Sequence, residues 1–204
     1  LIFKRGKKKN NILITGGKTY IDFYHRLSSQ KINWSNLNLF LSDERLTKSK
    51  QLFKQNYFMI YNFFLKKLKQ NKPNFFFNIN NFDIDNHNKL LKKLETKYLN
   101  YKKINLAFLS VGSDGHIASI FKNKPLKISK NKLFLITKRS SENFNRISFS
   151  MKLFLSIKKI IIVIYGTNKK KIINAISNRD FDTYNYPVFK LLRKSKYPIY
   201  IFYM

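Results

Sequence analysis

The sequence predicts one α/β domain, a mostly parallel twisted sheet with helices on both faces, in a modified Rossmann-like arrangement. Two observations carry this prediction. Short apolar runs alternate along the chain with segments whose apolar residues recur at helical spacing. The scarce residues, glycine above all, gather at the ends of those runs, where a parallel sheet offers its ligand site.

The elements follow in order. Residues 12–15 read as a short strand that stops at Gly16-Gly17, and residues 19–27 as a helix with Tyr20, Ile21, Tyr24 and Leu27 inward. A second strand over residues 37–41 runs into Ser42-Asp43-Glu44-Arg45. One long helix is expected over residues 50–69, with Phe53, Tyr57, Phe58, Tyr61, Phe64, Leu65 and Leu68 on its buried side. Residues 75–79 read as a strand and residues 88–101 as a helix through Leu90, Leu91, Leu94 and Tyr98. The strand over residues 104–111 opens into Gly112-Ser113-Asp114-Gly115-His116. Residues 133–137 and 147–150 add strands, and residues 151–157 a short helix. Residues 160–165 form a fully buried strand stopped by Gly166, followed by a helix over residues 168–177. Residues 199–203 close the chain as a strand.

Composition narrows the function. With 204 residues, 44% of them hydrophobic, the chain can bury a sizeable core as one domain spanning residues 1–204. Its composition is not that of a disordered chain. The absence of cysteine excludes a disulfide framework, a cysteine-ligated zinc and a thiol nucleophile. The longest apolar run, residues 160–165, is too short to span a bilayer. The net charge of +31 suggests nucleic acid, yet only 7 of the 41 basic residues are arginine, the better phosphate fork. The 24 asparagines and 24 isoleucines beside 34 lysines point instead to drift in an AT-rich genome. The basic run at residues 4–9 reads as a solvated end rather than a signal peptide. Because the chain opens with Leu1 just ahead of its first strand, an N-terminal helix is expected to be missing or lost.

Against such drift, persistent rare residues mark a site. Five of the six glycines lie in three loops, and Asp43, Glu44 and Asp114 lie in or beside strand-end junctions of the same kind. Gly16-Gly17, followed by a helix starting near Thr19, offers free backbone N–H groups to an anion. Arg45 brings a planar fork suited to phosphate or carboxylate, although a salt bridge to Asp43 or Glu44 fits equally well locally. Lys169, three residues past Gly166, supplies a point charge at a helix start. His116 is the titratable group best placed to act as a general base, with Asp114 to orient it and Gly115 to leave room for substrate. Neither Ser113 nor Ser141 sits in a nucleophile elbow, so no acyl-enzyme is expected.

These stretches run in the order of a known family. Ile14-Thr15-Gly16-Gly17-Lys18-Thr19 resembles its strand and Ser-Gly-Gly turn. Phe40-Leu41-Ser42-Asp43-Glu44-Arg45 resembles its Asp-Glu-Arg segment, with Trp34 before it and Gln55-Asn56 after it. Gly112-Ser113-Asp114-Gly115-His116-Ile117-Ala118-Ser119-Ile120-Phe121 resembles its Gly-x-Asp-Gly-His signature. Arg146-Ile147-Ser148-Phe149-Ser150 and Gly166-Thr167-Asn168-Lys169 resemble its Arg-Ile-Thr and Gly-x-x-Lys segments. The chain thus resembles the glucosamine-6-phosphate isomerase/6-phosphogluconolactonase superfamily over residues 12–187. Ala118-Ser119-Ile120-Phe121 and Asp43-Glu44-Arg45 have the lactonase form rather than the deaminase form. Thr15 and Lys18 stand where the family has serines, and Lys122 where it has proline.

The resemblance implies hydrolysis of 6-phospho-D-glucono-1,5-lactone to 6-phospho-D-gluconate in the oxidative pentose phosphate pathway. It makes His116 the base that activates water, with Asp114 supporting it. Arg45, Lys169, Gly16, Gly17 and Arg146 would hold the phosphate, and Asp43, Gly115 and Thr19 would line the sugar. No metal, cofactor, nucleic acid or membrane partner is expected, and the protein is expected to be a cytoplasmic monomer. The alternatives are a related deaminase or isomerase of sugar phosphates, and a non-catalytic basic binding protein on the same fold.

Overall fold

A computed structural model describes residues 9–76, 83–101, 103–122, 132–182 and 184–203. A six-stranded sheet, all parallel, forms the centre in the order β4-β2-β1-β5-β8-β9. Its strands are β1 (Asn10–Ile14), β2 (Leu37–Leu41), β4 (Asn74–Phe75), β5 (Leu106–Ser110), β8 (Ile160–Ile164) and β9 (Ile199–Tyr203). Parallel strands need crossovers that cover both faces, which is why β2, Leu-Asn-Leu-Phe-Leu, is buried at every position. Two aromatic layers do the covering. Phe40, Phe76, Tyr98, Phe134 and Phe149 interlock in one, while in the other Tyr24 and Trp34 pack on Phe64 and Tyr20 packs on Tyr24.

The helices are α1 (Ile21–Ser28), α2 (Asn56–Phe63), α3 (His87–Leu99), α4 (Met151–Phe154), α5 (Lys170–Ser177) and α6 (Pro187–Lys194). Most of them match the periodicity of the sequence. The long helix expected over residues 50–69 is instead three pieces, a 3-10 turn (Ser49–Lys54), α2 and a second 3-10 turn (Leu65–Lys67). Gln55 is extended and Phe64 leaves helical geometry. The break follows from a tertiary contact, because the buried Glu44 carboxylate accepts the backbone N–H groups of Asn56 and Tyr57 at 2.7 Å each. A continuous helix would have spent those donors internally.

A second sheet was not foreseen. Residues 43–46, expected as a loop, form β3 (Asp43–Leu46), which pairs antiparallel with β7 (Asn145–Phe149). β7 pairs antiparallel with β6 (Phe134–Thr137). The strands expected at residues 133–137 and 147–150 therefore belong to this small sheet and not to the parallel one. Ser42 alone separates β2 from β3, and its N–H still donates to the Ile14 carbonyl at 2.8 Å. Helix α6 was also missed, although Pro187 at its first turn and the spacing of Val188 and Leu191 signal it. Of the strand expected at 75–79, residues 77–79 lie outside the described residues.

Candidate active site

Strand order places three of the marked loops together. β1, β5 and β8 are consecutive parallel neighbours, so Gly16-Gly17, the 112–116 loop and the turn from Gly166 to Lys169 leave the same edge of the sheet. Over that edge lies the small sheet. Arg45, Arg146 and Thr137 are cross-strand partners, and so are Asp43, Ser148 and Leu135 two residues away. Residues two apart on a strand share a face, so Asp43, Arg45 and Arg146 line one surface.

Each arginine on this surface is held. Arg45 Nη1 donates to the Lys54 carbonyl at 2.5 Å and to Asn56 Oδ1 at 3.0 Å. Asn56 in turn donates to the Asp43 carbonyl at 3.0 Å. Arg146 forms a fork on Glu142, with Nε donating to Oε2 at 2.7 Å, and its Nη1 lies 3.6 Å from Asp43 Oδ2. Burial, and then the neighbouring Arg146 charge, lower the Arg45 pKa, whereas Glu142 and Asp43 raise that of Arg146 against the effect of its burial. Two guanidinium groups in one row form a surface suited to an anion. On the opposite face Glu44 is fully buried, and burial pushes its carboxyl up to about 7 against three backbone N–H donors.

The glycine turn after β1 closes on this row. Gly17 has φ of 97°, which favours glycine, and a Cβ on Gly16 would overlap the Asn56 side chain. Asn56 thus touches Gly16 on one side and Arg45 on the other. Thr19 lies in the 3-10 turn Lys18–Tyr20 that follows, and no side-chain hydrogen bond joins it to this group among the described residues.

The histidine loop is fastened from three directions. Asp114 Oδ1 accepts from His116 Nδ1, and Arg139 Nη2 donates to Asp114 Oδ2 at 3.1 Å. The bond from His116 holds the Asp114 carboxyl well below the usual carboxylate range. Ser119, fully buried, donates from Oγ to Asp43 Oδ2 at 2.5 Å, and its N–H donates to Ser148 Oγ at 3.3 Å. Those two bonds clamp the loop to the small sheet. The Gly115 carbonyl accepts from Val188 N–H at the start of α6, and Tyr186 packs where a Gly115 Cβ would lie. The Phe121 ring stands 5.2 Å from the His116 ring and 5.9 Å from the Arg146 guanidinium, bridging the dyad and the arginine row.

The structure thus joins His116, Asp114, Asp43, Arg45, Arg146, Gly16 and Gly115 into one contact network. Lys169 stands at the Gly166 turn on the shared edge, nine-tenths buried, and no contact ties it to that network among the described residues. Its burial lowers its pKa. Asn56, Ser119 and Phe121, quoted in the sequence only as motif residues without a role at the site, belong to the network, and so do Arg139 and Glu142, which were not named there. Arg139 and Glu142 carried a usable signal, as two of the few arginines and acids, close before Arg146. Among the described residues no group of His, Asp or Glu is arranged to hold a metal ion. A cleft of about 630 Å³ lined by Leu46, His87 and Asn145 contains none of these network residues.

The family model for glucosamine-6-phosphate isomerases/6-phosphogluconolactonase matches residues 3–198. The chain belongs to this family. A probable 6-phosphogluconolactonase of Dictyostelium discoideum is 27% identical, covering 88% of this chain and 78% of that one. A glucosamine-6-phosphate deaminase of Malacoplasma penetrans is 28% identical, covering 95% and 86%. Among solved structures, a 6-phosphogluconolactonase from Shewanella baltica superposes with a TM-score of 0.80 at 20% identity, covering 96% and 83%. That likeness establishes the shared fold, including the six-stranded parallel sheet.

Proposed function

We propose that this chain hydrolyses 6-phospho-D-glucono-1,5-lactone to 6-phospho-D-gluconate. The observation that carries the reading is the Asp114–His116 dyad clamped, through Ser119, to the surface that bears Arg45 and Arg146. Asp114 is ionised and can only accept, so the proton of the imidazole sits on Nδ1 and Nε2 is the basic nitrogen. Nε2 takes a proton from water as the oxygen attacks C1. The tetrahedral intermediate then collapses, the bond from C1 to the ring oxygen breaks, and His116 returns its proton to that oxygen.

Arg45, Arg146, Lys169 and the Gly16 and Gly17 amides bind the 6-phosphate, while Asp43, Gly115 and Thr19 border the sugar. The phosphate does no chemistry. Its binding energy orients C1 against the water. The scheme needs neither metal nor cofactor, and it describes a cytoplasmic monomer acting on a free sugar phosphate, without nucleic acid or membrane as partner. Among the described residues no helix is long and apolar enough to cross a membrane.

The deaminase relative motivates the competing reading, release of ammonia from glucosamine 6-phosphate. One stopped assay with each substrate decides between them. Loss of the lactone above its spontaneous rate, abolished by His116→Ala and reduced by Arg45→Ala, is the expected result. Ammonia release with no lactone turnover would replace the proposal, and lactone turnover indifferent to both substitutions would displace the site.

A further inference from the structure

His116 and three neighbouring side chains close into a ring of contacts. His116 Nδ1 meets Asp114 Oδ1, and Asp114 Oδ2 accepts from Arg139 Nη2 at 3.1 Å. The Arg139 guanidinium lies 5.5 Å from the centre of the Phe121 ring, and that ring lies 5.2 Å from the His116 ring. Arg139 comes from the segment between β6 and β7, whereas the other three residues come from the loop after β5. It is therefore the one member whose backbone is anchored in the small sheet. We infer that Arg139 is a positioning residue for His116, acting through Asp114 and Phe121, an inference that rests on the hydrolytic reading above.

The physical argument concerns rotation. A carboxylate bound at one oxygen can swing about its Cβ–Cγ bond, and the imidazole follows it. With Oδ1 occupied by His116 and Oδ2 by Arg139, the carboxylate plane is set from two sides. Phe121 packs against the imidazole at a tilt, and the Arg139 guanidinium lies 5.5 Å from the centre of the same aromatic ring, where a cation is attracted to the π-cloud. The planar fork can do both at once, which the compact ammonium of lysine does less well. The pair is more than a third exposed, so its role lies in geometry and not in stability.

The test uses the full chain and the substitutions Arg139→Ala, Arg139→Lys and Asp114→Asn, with Arg139→Ala also placed on Asp114→Asn. Arg139→Ala should lower kcat on the order of tenfold, less than the ~100-fold that a full 1 Å misplacement costs, with KM changed less than about twofold. Arg139→Lys should recover part of the loss. On the Asp114→Asn background, Arg139→Ala should cost much less, because the residues act in series. A rise in KM at constant kcat, or full additivity with Asp114→Asn, would overturn the inference. Nitrogen NMR of the His116 ring, assigned by its disappearance in His116→Gln, supplies a readout that needs no turnover. A single Nδ1-protonated form in the parent and a mixture in Arg139→Ala supports positioning even if the lactone is not the substrate. An unchanged spectrum with unchanged kcat refutes it.

Discussion

A Cβ on Gly112 would overlap the Cε1 and Nδ1 atoms of the His116 imidazole, so backbone and ring share one closely fitted space. Gly112 has no left-handed φ, and alanine is compatible with its backbone. The glycine is needed for the ring and not for the turn. Gly112→Ala should therefore keep the fold while displacing the histidine. Lactone turnover is expected to fall about 100-fold with an unchanged circular dichroism spectrum. Full activity in this variant would mean that the ring position seen here is not the working one.

Asn56 links Arg45, Asp43 and the space beside Gly16. Asn56→Ala removes one of the two bonds that hold Arg45 and leaves buried partners unpaired, at a cost of about 1–3 kcal/mol in stability. If Arg45 serves the phosphate, KM for the phosphorylated lactone should rise severalfold. Hydrolysis of unphosphorylated glucono-δ-lactone, measured beside it, should hardly change. Equal losses on both substrates would assign Asn56 to the reacting end.

Glu44 gives the stability a pH dependence of definite sign. Its carboxyl is pushed up to about 7 from an unfolded value of 4.5. Between those values the folded chain keeps a proton that the unfolded chain has released, so this contribution falls as pH rises through the window. The slope is at most about 1.4 kcal/mol per pH unit. Urea midpoints at pH 5 and pH 7.5 should differ less in Glu44→Gln than in the parent. Equal differences in the two proteins would show that the carboxylate is charged throughout.

Thr137 Oγ1 is buried without a hydrogen-bond partner among the described residues, in the row that contains Arg146. Valine has nearly the same shape and no hydroxyl to desolvate. Thr137→Val should raise stability by about 1 kcal/mol, read as a higher urea midpoint at unchanged slope. Loss of stability would imply a partner for the hydroxyl in solution.

The parallel sheet was legible because each strand is a short apolar run whose pattern is local. The same holds for the Gly16, Gly112 and Gly166 turns, since glycine resists replacement wherever φ is positive or a side chain crowds the backbone. His116 and Asp114 are two residues apart, so their partnership needed no knowledge of the fold. By contrast, β3 and β7 lie about a hundred residues apart, and nothing in Asp43-Glu44-Arg45 announces antiparallel pairing with residues 145–148. The break near residue 55 was hidden for the same reason, because the periodicity of residues 50–69 is helical and the carboxylate that interrupts it comes from β3. Periodicity and rare residues thus specified the sheet and the loops that carry the chemistry. Which arginine faces which carboxylate, and that Arg139 reaches Asp114, depended on the register of strands distant in sequence, which local patterns do not encode.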